Sequence, residues 1–377
     1  MSRYPAASAM RIRCMPAFAS VSLALFALLA LPVACAVLGD TAPQSLAHPT
    51  GEANTHYPTN RAPLQPSAFV KLPTGAVRPE GWLHKQLQLQ DEGFHGHLTE
   101  ISKFLAKPDN AWLSKTGQGD HGWEEVPYWL KGFADCAYLL GDEAHIAEAK
   151  LWIEGALSSQ REDGWFGPQS AKATVSGGGG AYDLWPNMVM LACLQSYYEY
   201  TQDARVLELM RRYFRWELAV PETDFLPPYW QHQRGGDNLW SVYWLYNRTG
   251  EQWLLDLADK IHRHTANWTA GVPDWHNVNM SQAFGGPAFY WQQSGDAQDL
   301  AAADRNWRTF RQRYGQVPGG MFGGDENCRV GFTDPRQAIV AFLGEEQVGA
   351  ELIQKMQRYE WGDAYFVIYL ALDGPLS

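Results

Sequence analysis

At 377 residues the chain is long enough for one large domain with a well-buried core, or for two modest ones. Its formal net charge of −11 excludes nucleic acid and other polyanions as natural partners. Five cysteines, two of them within the first 36 residues, leave Cys136, Cys193 and Cys328, an odd set that excludes a disulfide framework as what holds the fold together.

Arg3, Arg11 and Arg13 precede an uncharged run from Cys14 to Leu38 that is mostly Ala, Leu, Val and Phe. This is the pattern of a secretory leader. Ala34-Cys35-Ala36 supplies a small-x-small cleavage site, so residues 1–36 are expected to be removed and the protein to be secreted or periplasmic, with no membrane contact afterwards. Lipid anchoring at Cys35 is the disfavoured alternative, because Pro32 stands where a lipobox wants an aliphatic residue. Residues 37–70, rich in Pro, Ala, Thr and Ser without periodicity, read as a flexible linker.

A first helix is expected over Glu80–Leu105, led in by the turn Leu72-Pro73-Thr74-Gly75. From Val126 onward one theme recurs: an aromatic-rich apolar helix, a tight turn, then an amphipathic helix. The turns are Leu140–Glu143, Tyr200–Asp203, Arg248–Glu251 and Gln293–Asp296. Repeats of roughly 40 to 60 residues predict stacked helical pairs, hence an all-α chain. The first helix of each pair is apolar nearly all round and so should be the inner one. Consecutive inner helices then run parallel, which puts the loops that precede them at one end. Those loops are Gly117–Glu125, Ser176–Asp183, Gln231–Asn238, Gly271–Asn279 and Gly319–Ile339. Their convergence predicts a wide cleft at the mouth of an (α/α) toroid.

The composition of these loops points to a sugar. Of 17 Trp, 17 Tyr and 16 Phe, many stand beside Gly, Asn, Asp or His, and flat aromatic faces next to hydrogen-bonding groups suit sugar rings. Trp123, Trp185, Trp240 and Trp275 are the stacking candidates, and His121 and His276 the hydrogen-bonding ones. His262 and His264 fall on the solvated face of an outer helix. In the last loop, Gly319, Gly320, Gly323 and Gly324 surround Asp325, Glu326 and Cys328 with backbone freedom that lets a ligand approach. Thr333-Asp334-Pro335 then starts a helix. Glycosidic cleavage asks for one protonated carboxyl and a second carboxylate. Glu326 is the acid candidate, with Asp325 beside it able to raise its pKa by repulsion. Glu124, Glu125, Asp183, Asp237 and Asp274 are candidate partners from the other loops.

Between Lys71 and Ile339 the ordered motifs LPTGAVRPEGWL, DHGWEEVPYWLKG, QREDGWFGP, HNVN and GGMFGGDENC…TDPRQAI resemble the bacterial β-L-arabinofuranosidase-type hydrolases, glycoside hydrolase family 127. The resemblance implies an (α/α)6 barrel catalytic domain over residues 71–339, acting on non-reducing-end sugars of plant or microbial glycans. It implies Glu326 as general acid/base, and His276 with Asn277 or Asn279 as sugar contacts. It also implies a zinc-held cysteine thiolate as nucleophile, with zinc ligands from a Glu-Thr-Cys segment and a later Cys-Cys segment. Here the sequence departs: Val340-Ala341-Phe342 stand where Glu-Thr-Cys is expected, and no Cys-Cys follows. Cys328 is the one thiol in polar surroundings and the candidate metal residue. Residues 340–377 read as a divergent helical tail, so the expectation is a barrel truncated after Ile339 with weak or no activity. Two alternatives stay open: a carboxylate-only inverting glycosidase or lyase on the same scaffold, and a non-catalytic periplasmic glycan-binding protein.

Overall fold

The computed structural model describes residues 58–173, 182–228 and 230–314. Helix α1 (Gly81–Asp91) is followed by α2 (Phe94–Ile101) and a 3-10 turn at Lys103–Leu105. The continuous helix expected here is broken at Gly93, where a Cβ would lie 2.9 Å from the carbonyl oxygen of Leu89 in the last turn of α1. The chain continues through α3 (Glu125–Leu140), α4 (Glu143–Ser158), short α5 (Gln169–Ala173), α6 (Trp185–Thr201), α7 (Arg205–Ala219), one-turn α8 (Trp230–Gln233), α9 (Gly235–Thr249), α10 (Trp253–His264), α11 (Asn277–Ala283), α12 (Gly286–Ser294) and α13 (Ala297–Tyr314).

The pairs α3/α4, α6/α7, α9/α10 and α12/α13 are hairpins, and their turns share one device. Gly141, Gln202, Gly250 and Gly295 close the first helix of each pair in the left-handed region, with φ of 72, 59, 72 and 65°. Each donates its amide to the carbonyl four residues back, at 2.8, 2.7, 2.7 and 2.8 Å, which satisfies an otherwise orphaned acceptor. Glycine takes this conformation without strain; Gln202 is held in it with its own Nε2 donating to Tyr198 O at 3.2 Å.

Helix α3 packs on α6, α6 on α9 and α9 on α12, each with its partner helix outside. The inner helices are buried on most sides, as α6 shows from Trp185 to Tyr197, whereas α7 buries a stripe of Val206, Leu209, Met210, Tyr213 and Phe214. Stacked rings lock the inner layer, among them Tyr138 on Tyr200 at 4.2 Å between α3 and α6. Among the described residues there is no strand, an isolated bridge between Asn110 and Asp120 apart. The fold is all-α, built as an (α/α) toroid of helical hairpins.

Part of the stretch read as a flexible linker is tied down. Asn60 Nδ2 donates to Gln292 Oε1 at 2.8 Å, Gln65 N to Gln292 O at 2.6 Å, and Tyr246 Oη to Ala62 O at 2.5 Å. Arg61 N and Asn60 Oδ1 both bond the side chain of Asn247, and Leu64 is buried. The helix ends of α9 and α12 offer unpaired polar groups, and this irregular segment supplies partners that no periodicity could announce. The following turn docks likewise: Lys71 Nζ pairs with Glu199 at 2.8 Å, and Thr74 Oγ1 lies 3.1 Å from Ser196 Oγ.

Two buried charges hold α7, α9 and α10 together. Lys260 Nζ donates to Glu217 O and Leu218 O, each at 3.0 Å, and to Val220 O, so an ammonium caps the carbonyl end of α7. The Glu217 carboxylate accepts from Asn238 Nδ2 at 2.8 Å. Burial pushes its pKa from the ordinary 4.5 up to about 7, against the pull of Asn238 and Lys260. A folded-state pKa above the unfolded one stabilises the fold below the unfolded value, and that contribution is lost as pH rises through the folded value. Glu217→Gln is therefore expected to leave stability near pH ~4 little changed and to raise it near pH ~8. Urea midpoints at the two pH values check this; a variant no more stable than the parent at the higher one refutes it.

Candidate active site

Four of the five loops that precede the inner helices meet where they are described, and side-chain hydrogen bonds tie each of these to the next; the fifth, 319–339, lies outside the described residues. Trp123, in the first loop, donates Nε1 to Asp183 Oδ2 at 2.8 Å, while Trp185, at the start of α6, donates Nε1 back to Glu124 Oε2. The first and second loops are thus joined by two crossed indole–carboxylate pairs. Gln231 joins the second to the third: its Oε1 accepts from Leu184 N and its Nε2 donates to Tyr182 O, both at 2.7 Å. Arg234 joins the third to the fourth, donating Nε to Asn279 Oδ1 at 2.7 Å. The sequence permits this closeness through Gly235 and Gly236, where a Cβ would stand 2.0 Å from Thr265 Oγ1 and 2.7 Å from Gly286 Cα.

The joined loops enclose a cleft of about 410 Å³ lined by Trp123, Glu124, Tyr128, Trp230, Arg234, His276, Asn277, Val278, Ser281 and Gln282. That volume lies within the range of small-molecule sites, ~300–1,000 Å³. His276 begins α11 as its N-cap: Nδ1 accepts from Val278 N at 3.2 Å and Asn279 N at 3.4 Å. An accepting Nδ1 puts the proton of the neutral ring on Nε2. Trp230 leans on the His276 ring at 4.7 Å. The Arg234 guanidinium is buried over the Trp185 ring at 4.3 Å and near that of Trp230 at 5.2 Å. Asn277 Oδ1 and Asn279 Nδ2 are buried with no hydrogen-bond partner among the described residues.

Burial dominates the titration of the site. It raises the Glu124 carboxyl above the ordinary value, opposed by the Trp185 bond and Arg234. It pushes the Tyr128 hydroxyl up to about 12. Asp237, half-buried on the first turn of α9, is raised to about 7 by burial, with Lys131 and Arg234 pulling the other way.

Of the residues singled out in the sequence, Trp123, Glu124, His276 and Asn277 line the cleft, and Asn279 stands behind them holding Arg234. Others serve the frame. Asp183 is buried with both oxygens taken, Oδ2 by Trp123 and Oδ1 by Trp185 N at 3.1 Å. Trp185 is wholly buried, and Asp274, not among the cleft-lining residues, accepts the His276 amide through Oδ1 at 2.7 Å. Trp275 packs edge-on to Phe310 at 6.2 Å, and His121 edge-on to Phe104 at 5.5 Å. Asp237 is not among the cleft-lining residues. Trp240 sits further along α9 beneath Lys71 Nζ at 5.7 Å, beside the lead-in turn and not in the cleft. His262 is stacked on Tyr290 at 3.6 Å, not simply solvated. Glu326, Asp325 and Cys328 lie outside the described residues, as do residues 176–181 of the second loop. Arg234, Tyr128, Trp230, Ser281 and Gln282 were not legible as site residues. An arginine directly before Gly-Gly at an inner-helix start was the available signal for the first.

Zinc held by thiolates does not fit the described residues. Cys136 and Cys193 are buried in the helical core, with Sγ donating to Leu87 O and to Pro127 O at 3.7 and 3.4 Å. Burial lifts the Cys136 pKa to about 11 and that of Cys193 well above the ordinary value, which opposes the thiolate a metal needs. Asp91, Asp142 and His145 cluster closely enough for an ion, but between α1 and α4 and outside the cleft lining. No step of the chemistry is routed through zinc.

The family model described as β-L-arabinofuranosidase, GH127 catalytic domain, matches the sequence over residues 44–341. No curated protein and no solved structure matches.

The crossed pairs predict a thermodynamic coupling. Asp183→Asn is expected to cost about 1–3 kcal/mol, the toll of a mispaired buried acceptor. With Trp123→Phe it should be non-additive by about 0.5 kcal/mol or more in a double-mutant cycle from urea denaturation. Strict additivity would mean that the two loops are not joined through this bond.

Proposed function

The chain belongs to the β-L-arabinofuranosidase family of glycoside hydrolases, family 127, whose fold is of the (α/α)6 barrel type, and from that membership we propose an exported hydrolase that removes a terminal sugar from plant or microbial glycans. The observation that carries the reading is the cleft itself. It offers aromatic faces from Trp123 and Trp230, and hydrogen-bonding edges from Glu124, Tyr128, His276, Asn277 and Gln282, around a space of about 410 Å³. Apolar faces for the C–H side of a ring and polar groups for its hydroxyls are what recognition of one sugar residue asks for.

In this reading Glu326 is the general acid that meets the departing glycosidic oxygen, with Asp325 as its neighbour. His276 is the sugar-contacting histidine of this reading, its ring oriented by the two amides that donate to Nδ1. Zinc-thiolate turnover is expected to be weak, since Val340-Ala341-Phe342 replace the ligand segment that the family resemblance leads one to expect. A carboxylate-only mechanism is a second reading, motivated by Val340-Ala341-Phe342 standing where the zinc-ligand segment is expected.

Release of 4-nitrophenol from 4-nitrophenyl β-L-arabinofuranoside tests the proposal. The expected result is slow turnover that falls by about 10²- to 10⁴-fold in Glu326→Gln, the usual scale for loss of a general acid. Unchanged turnover in that variant rejects the assignment, and sugar binding without release makes the chain a binding protein on a hydrolase scaffold. Cys328→Ser divides the two mechanisms, being silent if carboxylates suffice. Export is checked separately: bacterial expression of the full sequence should give periplasmic protein beginning after Ala36, as read by mass spectrometry.

A further inference from the structure

Glu124 stands at the N-cap position of α3 yet caps nothing; its side chain makes no hydrogen bond to the amides of that helix. It turns into the cleft wall instead, 24% exposed, with Oε2 taken by Trp185 Nε1 and 3.7 Å from Arg234 Nη1. Oε1 accepts no hydrogen bond among the described residues. Asp183, the other half of the crossed pairs, is 2% exposed with both oxygens bonded, so the two carboxylates do different work. One is consumed by the frame. The other keeps an acceptor in hand on the surface a ligand would touch.

We propose that Glu124 is a specificity-determining residue that accepts a hydrogen bond from one hydroxyl of the terminal sugar through Oε1, and that Arg234 is its positioning residue. The proposal rests on the reading of the cleft as a sugar site. A carboxylate only accepts, so its partner must be a donor; a hydroxyl supplies one without bringing a second charge into a wall that Arg234 already balances. The bond would be charge-assisted and hence stronger than a neutral one. Arg234 is suited to its part because it cannot turn away. It is 3% exposed, its face lies 4.3 Å over Trp185, and its Nε is committed to Asn279 at 2.7 Å. What remains is the Nη1 edge, directed at Glu124. A lysine there would keep the charge and lose the planar fork that makes both contacts.

The test is calorimetric titration of the full chain with L-arabinose and with its singly deoxygenated analogues. The parent protein should bind L-arabinose and reject one analogue by a factor of about ten or more, since a site built around a hydroxyl penalises its absence. Glu124→Gln keeps the shape and an acceptor for Trp185. It should weaken L-arabinose by about tenfold while leaving that one analogue as it was, so the discrimination between the two sugars collapses. Arg234→Lys should reduce the same discrimination with helical circular dichroism retained. Because the readout is a ratio between two sugars in one protein sample, partial unfolding does not imitate it. A ratio unchanged in Glu124→Gln overturns the assignment of Glu124, and one unchanged in Arg234→Lys overturns that of Arg234. If the parent binds L-arabinose and every analogue equally, or none of them, the reading of the cleft falls and the proposal with it.

Discussion

The site depends on indole N–H groups finding carboxylates across a gap that neither loop could close alone. Trp123 reaches to Asp183 and Trp185 reaches back to Glu124, so each of two loops contributes one donor and one acceptor. An indole has a single donor and a large apolar body, and once buried it loses free energy unless that donor is met. The two bonds therefore do more than decorate a contact; they set the distance between the N-terminal ends of α3 and α6. Gln231 and Arg234 extend the same logic to α9 and to the loop before α12.

This arrangement explains why the site combines rigidity with an open chemistry. Most of its polar atoms are committed to neighbouring loops, which fixes rotamers before any ligand arrives and lowers the ordering cost of binding. Two atoms of the lining residues are not so committed: Glu124 Oε1 and Asn277 Oδ1.

The hairpins were legible in the sequence because a 3.6-residue apolar period ends at a residue that can go left-handed, a local signal at Gly141, Gly250 and Gly295. The family was legible for a different reason: the order of short motifs along the chain, confirmed over residues 44–341. Side-chain direction was not. Trp185 and Trp240 each follow a site loop closely, yet one is buried beneath the wall and the other lies beside Lys71, because a helix turns a neighbouring position through about 100° and proximity in sequence does not say which way. Arg234 was missed for the opposite reason. A charged residue next to glycines reads as solvent-facing, whereas those glycines exist so that α9 can approach α12 and bury it.

The segment between Asn60 and Gln65 belongs to the toroid although its composition is that of a tether. It crosses from the carboxyl end of α9 to that of α12, answering Asn247, Tyr246 and Gln292 in turn. A domain boundary drawn by eye at residue 71, where the recognisable motifs begin, would strip those helix ends of their partners. A fragment cut at residue 71 would leave Asn247, Tyr246 and Gln292 without these partners, on the side remote from the cleft.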